Sequence, residues 1–143
     1  MQVYSGTPEK GDREKFHNDV WLKRFVDLPD DSVRVFVLHF TPGARTNWHV
    51  HAGRQVMYVL FGEGCVQEWS GKAAVVRPGD VVYLEPGVKH WHGAAPNADF
   101  IHSTIAFDRE TYWKFRREDS SGAVTMSAEP VSEADYDAAF SHL

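Results

Sequence analysis

His49, His51, Gln55 and His90 have the residue types and the spacing of a ligand set. A β-strand sends successive side chains to opposite faces, so His49 and His51, one residue apart in WHVH, look the same way and can share one ion. Gln55 follows His51 by an even step, which keeps it on that face if the strand continues and within reach if Gly53 bends the chain. Downstream, GDVVYLEPGVKHWHGA supplies His90 at the start of a further strand, with His92 next on the same face. Neutral imidazoles and an amide oxygen bring no negative charge to a divalent ion. A glutamate in the place of Gln55 would cancel part of that charge, so glutamine leaves a more electron-demanding Lewis acid with room for water or substrate. Structural zinc sites are usually closed, tetrahedral and rich in thiolate. This set suits instead an open, six-coordinate Mn2+ or Fe2+, with Zn2+, Ni2+ or Co2+ as further occupants.

His92 and His102 are the candidate catalytic groups. His92 points with His90 toward the interior and can pass a proton to or from a bound ligand. His102 lies in the middle of FIHSTIAF, where its alternation partners Thr104 and Ala106 are small and leave space. The alternative for either is a histidine with a satisfied ring that supports the site. Phe36, Leu38, Phe40, Met57 and Val59 offer apolar walls over this polar base, the usual form of a small-ligand pocket. Trp48 and Trp91 sit one residue from ligand histidines, on the opposite strand faces, and read as packing scaffold. Tyr58 has the same offset from Gln55. His39 reads as a partly exposed strand histidine, and Cys65, with no base placed beside it, as a buried and inert thiol. His17 and His142, in the terminal segments, take no role.

The elements that must position these residues are short strands. Residues 1–19 are polar and read as an arm or edge segment. Val20 to Leu28 is a strand with a bulge, and Pro29, Asp30 and Asp31 turn the chain. SVRVFVLHF is a strand covered on both sides, with Arg34, Phe36, Leu38 and Phe40 opposed to Val33, Val35, Val37 and His39. Alternation does not decide which set lines the site, because Pro42 and Gly43 break the phase. Gln55 to Leu60 is a strand, FGEG a turn, and CVQEW and KAAVVR a hairpin around Ser70-Gly71. Turns at Pro78-Gly79-Asp80 and Glu85-Pro86-Gly87 frame VVYLE, and Ala95 to Asp99 closes another hairpin before FIHSTIAF. Short strands at this spacing indicate an all-β sandwich or barrel. RREDSSGAVTMSAE reads as a surface loop, and Ser132 as the N-cap of a short helix over 133–140 with acids in its first turn.

A chain of 143 residues, 43% hydrophobic and 13% aromatic, fits a single globular domain. Its net charge of -5 argues against nucleic-acid and anionic-membrane partners, which want a basic face. With Cys65 as its one cysteine it has no internal disulfide. No apolar run approaches the ~20 residues of a membrane span, and MQVYSGTPEKGDREK lacks the order of a signal peptide, so a cytoplasmic location is the expectation. Strand edges and the polar arm make self-association reasonable.

The same residues carry a family resemblance. Gly43, His49, His51, Gln55 and Gly62 resemble the first motif of the cupins, and Gly79, Pro86, Gly87 and His90 the second. Gln55 stands where that motif has glutamate, and Glu85 falls where it has proline. With those departures the chain is most similar to the small single-domain cupins that include the manganese-dependent hydroxynitrile lyases, whose ligand set is also three histidines and a glutamine. PGARTNWHVH and GDVVYLEPGVKHWHGAAP carry the likeness. It implies a cupin jelly-roll of one domain over 1–143, with an arm at 1–19, a barrel at 20–107, and a loop and short helix at 108–143. It implies Mn2+ on His49, His51, Gln55 and His90, with His92 and His102 around the cavity. It also favours Phe36 and Leu38 in the wall, with His39 outside.

The activity implied is a lyase that cleaves or forms a C–C bond in a small carbonyl-derived substrate. The hydroxyl loses its proton, the bond to cyanide breaks, and a histidine protonates or steadies the leaving cyanide. Related cupins include polyketide cyclases, decarboxylase-like proteins and dioxygenases, and fold and ligand set do not choose among these reactions. A non-catalytic cupin that only binds a metal or small ligand is the remaining class. Gln55, His92 and His102 lean against it, since a holding site needs no extra histidines facing an apolar cavity.

Overall fold

The computed structural model of the chain describes residues 1, 3–27, 33–108 and 110–141. In chain order its elements begin β1 (Glu9–Lys10), β2 (Phe16–His17), β3 (Val20–Asp27), β4 (Arg34–Phe40), β5 (Arg45–Thr46), β6 (His49–His51) and β7 (Gln55–Gly62). They continue β8 (Gly64–Glu68), β9 (Ala73–Val76), β10 (Val81–Leu84), β11 (Lys89–Ala94) and β12 (Phe100–Ala106). The tail adds β13 (Thr111–Tyr112), β14 (Lys114–Glu118), β15 (Val124–Ala128) and helix α1 (Glu133–Ala139). The expected turn at Pro29, Asp30 and Asp31, the end of the first strand at Leu28, and His142 lie outside the described residues.

Among the described residues, β1-β3-β4-β12-β7-β10 form a six-stranded sheet. A seven-stranded sheet runs β13-β6-β11-β5-β2, with β8 and β9 joined to it through β11. Their inner faces share one core: Leu38, Phe40, Met57 and Val59 from the first meet Val66, Val76 and Ala94 from the second. This is an all-β jelly roll with one short helix. No helix among the described residues is long and apolar enough to cross a membrane.

Between β6 and β12 the chain changes sheet at β6 to β7, β7 to β8, β9 to β10, β10 to β11 and β11 to β12. Ala95 to Asp99 is therefore a corner between sheets, not the turn of a hairpin. Local turn residues look alike in both cases, because each reverses the chain. FGEG is likewise a corner, and its geometry demands glycine: Gly62 has φ 80°, and a Cβ there would lie 1.7 Å from the Asp99 carbonyl oxygen. The turn at Ser70-Gly71 does join a true hairpin, β8 to β9.

β3 carries the expected bulge, a register shift between Arg24 and Val26 against β4. β4 is an inner strand, between β3 and β12. Its outer face, with Val35, Val37 and His39, is only half-buried, so the expectation of cover on both sides holds for the inner face alone. The arm is partly knitted into the barrel: β1 pairs with β3, β2 with β5, and Phe16 enters the core.

α1 forms as its first turn dictates. Ser132 Oγ accepts from the Asp135 amide at 3.1 Å, and Glu133 and Asp135 lie at the positive end of the helix dipole. Tyr136 and Phe140 bury with Trp48 and Trp91 in a second core behind the seven-stranded sheet. Tyr136 also donates its hydroxyl to the Ala94 carbonyl at 2.7 Å. The segment expected as a loop at 116–129 is instead largely the β14–β15 hairpin, with Lys114 opposite Ala128 and Glu118 opposite Val124. Its strands are mostly exposed, so no apolar alternation marks them. The turn is held by the Asp119 carboxylate, which accepts from the amides of Ser121 and Ala123 at 2.8 and 3.0 Å.

Candidate metal centre and active-site cavity

The site is assembled by β6 and β11, which are neighbours in one sheet, and by β7 in the other. His90 stands directly opposite His49 in the β11–β6 pairing, and the two rings lie 4.3 Å apart. His51 joins from the same face of β6. Ring nitrogens of His49, His51 and His90 all fall within 4.8 Å of one another. Between β6 and β7, Gly53 makes the bend that the ligand spacing anticipates: a Cβ there would lie 2.0 Å from the Phe107 carbonyl oxygen. The bend carries Gln55 into the facing sheet, where it lines the same cavity as His49, His51 and His92.

Each histidine of the cluster is anchored by its Nδ1. His49 Nδ1 is 2.9 Å from the Asn47 carbonyl, His90 Nδ1 is 2.9 Å from the Val88 carbonyl, and His51 Nδ1 is 3.0 Å from the Asp108 carboxylate. A carbonyl can only accept, so Nδ1 of His49 and His90 carries the proton and Nε2 keeps its lone pair. His90 Nε2 and Gln55 Oε1 are buried with no hydrogen-bond partner. Buried acceptors are rarely left orphaned, and these two belong to the ligand set read from the spacing. Burial, reinforced by the neighbouring histidines, holds His49 well below its usual pKa, and burial brings His90 down to about 4. Both are thus uncharged donors at neutral pH. The residues present fit a divalent cation.

Asp108 is the residue that spacing alone passed over. Its burial opposes ionisation, but hydrogen bonds from His51 and Arg34 outweigh this and hold the carboxyl below its usual range. Arg34 is ion-paired to it, and Thr111, opposite His51 in the β13–β6 pairing, stands 3.2 Å from His51 Nδ1. Asp108 continues the even-numbered series His102, Thr104, Ala106, so parity along β12 was the available signal. Trp113, stacked on His49 at 4.3 Å between centroids, had no such signal, because it follows the chain's return into the tail.

The cavity measures about 370 Å³. Phe36, Leu38 and Thr104 line it, which settles the orientation of β4. Phe40, Met57, Val59 and Ala106 are buried beside it, without forming its lining. Phe40 instead backs the rings of His92 and His102 at 5.5 and 5.7 Å. Of the two outer histidines only His92 reaches the cavity. His102 stands behind it, with Nε2 3.2 Å from His92 Nδ1, and with Nδ1 3.0 Å from Thr104 Oγ1 and 3.3 Å from the Ser103 carbonyl. Burial lowers both pKa values, with the nearby histidines adding to the effect on His92, and His102 falls to about 4.

The scaffold residues fall where parity puts them. Trp48 and Trp91 lie in the second core, Tyr58 is exposed, and His39 is half-exposed on the outer face, 2.8 Å from Asp99. Cys65 is buried, and desolvation drives its thiol pKa up, which disfavours the thiolate.

A jelly roll with a three-histidine cluster able to hold a cation beside one cavity is the class that fold and donors define. The family model for the cupin domain matches residues 36–101. An (R)-mandelonitrile lyase from Granulicella tundricola is 39% identical over 105 residues, covering 73% of this chain and 80% of that protein. Among solved structures, a cupin-like protein from Thermotoga maritima superposes with a TM-score of 0.78 at 32% identity, over 100% of this chain and 98% of that one. The polyketide cyclase RemF from Streptomyces resistomycificus shares the fold, with a TM-score of 0.65 at 19% identity over 96% and 90% of the two chains. The chain belongs to the cupin family.

Proposed function

We propose that this cupin is a metal-dependent lyase of the hydroxynitrile type, cleaving or forming a C–C bond in a small carbonyl-derived substrate. The observation that carries the reading is a cavity lined by His49, His51, Gln55 and the uncharged imidazole of His92, with His90 clustered against the first two. The similarity to a mandelonitrile lyase supports it. His49, His51, His90 and Gln55 would hold the ion, for which Mn2+ is the favoured occupant. When bound, it supplies Lewis-acid polarisation of a substrate oxygen.

The protein's own groups manage the proton. With His102 Nδ1 donating to the Ser103 carbonyl, His102 Nε2 accepts from His92 Nδ1–H, which leaves His92 Nε2 as the unprotonated atom. That nitrogen takes the proton of the substrate hydroxyl as the carbonyl forms. It returns the proton to departing cyanide, so the products are an aldehyde or ketone and HCN. His102 touches His92 and not the cavity, and is a positioning residue. Phe36, Leu38 and Trp113 enclose the organic body of the substrate. The proposal extends to a homodimer or homotetramer in the cytoplasm, acting on a small molecule without nucleic-acid or membrane partners.

Mandelonitrile cleavage by manganese-loaded protein tests the reading. We expect cyanide release that falls by about a hundredfold or more in His49→Ala. Metal-loaded protein that releases no cyanide would sink the lyase reading. The cavity also admits a ketone or keto acid of similar size, so decarboxylation, cyclisation or dioxygenation is the second reading. CO2 release or oxygen uptake in place of cyanide would identify it.

A further inference from the structure

We propose that the cavity selects a carboxylate-bearing substrate and that Arg34 binds the carboxylate. This rests on reading the cavity as the substrate site of a metal-dependent lyase, and it narrows that substrate to an anion with an apolar body.

The charge of the wall is opposite to that of the chain. The protein carries a net charge of -5, yet the cavity is lined by Lys10, Lys15, Arg24 and Arg34 against the acids Glu9 and Asp12. The donor set adds no compensating negative charge, because the position that could supply one is Gln55. An ion held there keeps its full charge, and cations on the wall then add to it. Such a cavity is complementary to an anion and repels a cation.

Arg34 is the cation built for recognition. Its side chain is only 18% exposed. One edge of the guanidinium is fixed: Nη2 pairs with Asp108 and reaches Thr111 Oγ1 at 3.1 Å. Nε remains buried with no acceptor. Nη2 is common to both hydrogen-bonding edges of the guanidinium and is already engaged, so a carboxylate would meet Arg34 through Nη1 and its charge. Asp108 divides its two oxygens between Arg34 and His51, so the arginine holds one of them only. The Phe36 ring, 5.6 Å from Arg34 Cζ, leads from the charged end to the apolar wall of Leu38 and Trp113.

The other cations act at longer range. Lys10 is tied to Asp19 at 3.2 Å, and Lys15 lies over the Trp113 ring at 5.7 Å. Arg24 is exposed at the rim. These charges draw an anion toward the mouth, and Arg34 fixes it inside. The class of substrate is a small carboxylic acid that carries a carbonyl or hydroxyl group and an aryl or branched alkyl body.

Binding of phenylglyoxylate and of its neutral methyl ester to manganese-loaded protein, followed by calorimetry, tests this directly. The acid should bind about tenfold or more tightly than the ester. With manganese kept saturating, Arg34→Gln should weaken the acid by about tenfold more than the ester. Arg24→Gln should slow association of the acid by about threefold, with the effect fading in salt. Equal affinity for acid and ester in the wild-type protein would overturn the proposal whatever the variants do. So would an Arg34→Gln variant that weakens both alike, or neither, since the acid would then be held by the metal or by general packing. Cyanide release on the same sample keeps the two readings apart. Cleavage of mandelonitrile without acid preference leaves the lyase and removes Arg34, whereas acid preference without cleavage does the reverse.

Discussion

The two faces of β11 are both buried and are finished in opposite ways. On the outer face the polar side chains of Trp91 and Lys89 are both engaged. Trp91 donates Nε1–H to Gln67 at 2.9 Å, and the Lys89 ammonium pairs with Glu129 while lying over the rings of Trp69 and Phe115 at 3.7 and 4.1 Å. On the inner face His90 leaves Nε2 without a partner, and Gln55 opposite leaves Oε1 so. A strand that satisfies one side and withholds satisfaction on the other spends only the second on binding. The outer face supplies the rigidity that lets the inner face keep unpaired donors at fixed positions.

Breaking the inner face should cost function and spare the fold. His90→Ala is expected to lower manganese-dependent activity by about a thousandfold, with an unfolding free energy within about 1 kcal/mol of wild type, because losing the Nδ1 bond to the Val88 carbonyl is offset by removing the orphaned Nε2. Activity assays and urea denaturation on one preparation check both halves. Breaking the outer face should do the reverse. Trp91→Ala should cost about 3–5 kcal/mol of stability through the cavity it opens, while the folded fraction still binds manganese. Loss of metal binding in its folded fraction would show that the faces are not separable.

A finer test lies between them. Asp108→Asn keeps the shape but weakens the hold on His51 and Arg34, and should lower manganese affinity by about 10–100-fold with little change in fold. Titration with the metal measures it. The smallest effect is a graded one with pH. In metal-stripped protein His90 and His102, brought down to about 4 by burial, stay neutral when the same groups in the unfolded chain protonate near 6.5. The unfolded state then binds more protons, so stability should fall as pH drops from 6.5 toward 4 and be unaffected by these groups above 6.5. A urea midpoint that is flat across that window would contradict the burial of these rings as neutral species.

The ligand end of this site is legible in the sequence because parity is a local rule. His49 and His51 share a face whatever the rest of the chain does, Trp48 and Trp91 fall on the other, and Ser132 caps α1 by contacts within one turn. Depth is not local. Parity places Phe40, Met57 and Val59 on inward faces, but only the approach of two sheets decides that they stand beside the cavity and that Phe36 and Leu38 enclose it. The same limit hid the corner at Ala95 to Asp99, whose turn residues do not say which sheet comes next. The β14–β15 hairpin escaped notice for another reason, since strands exposed on both faces need no apolar alternation. Asp108 was within reach of parity, and Trp113 was not.

The most direct measurement is manganese content per chain by elemental analysis, for wild-type protein and His90→Ala expressed with added manganese. We expect about one ion per chain in the first and almost none in the second, since the donors converge on a single point. Equal manganese in both, or none in either, would contradict a metal centre built by His49, His51, His90 and Gln55.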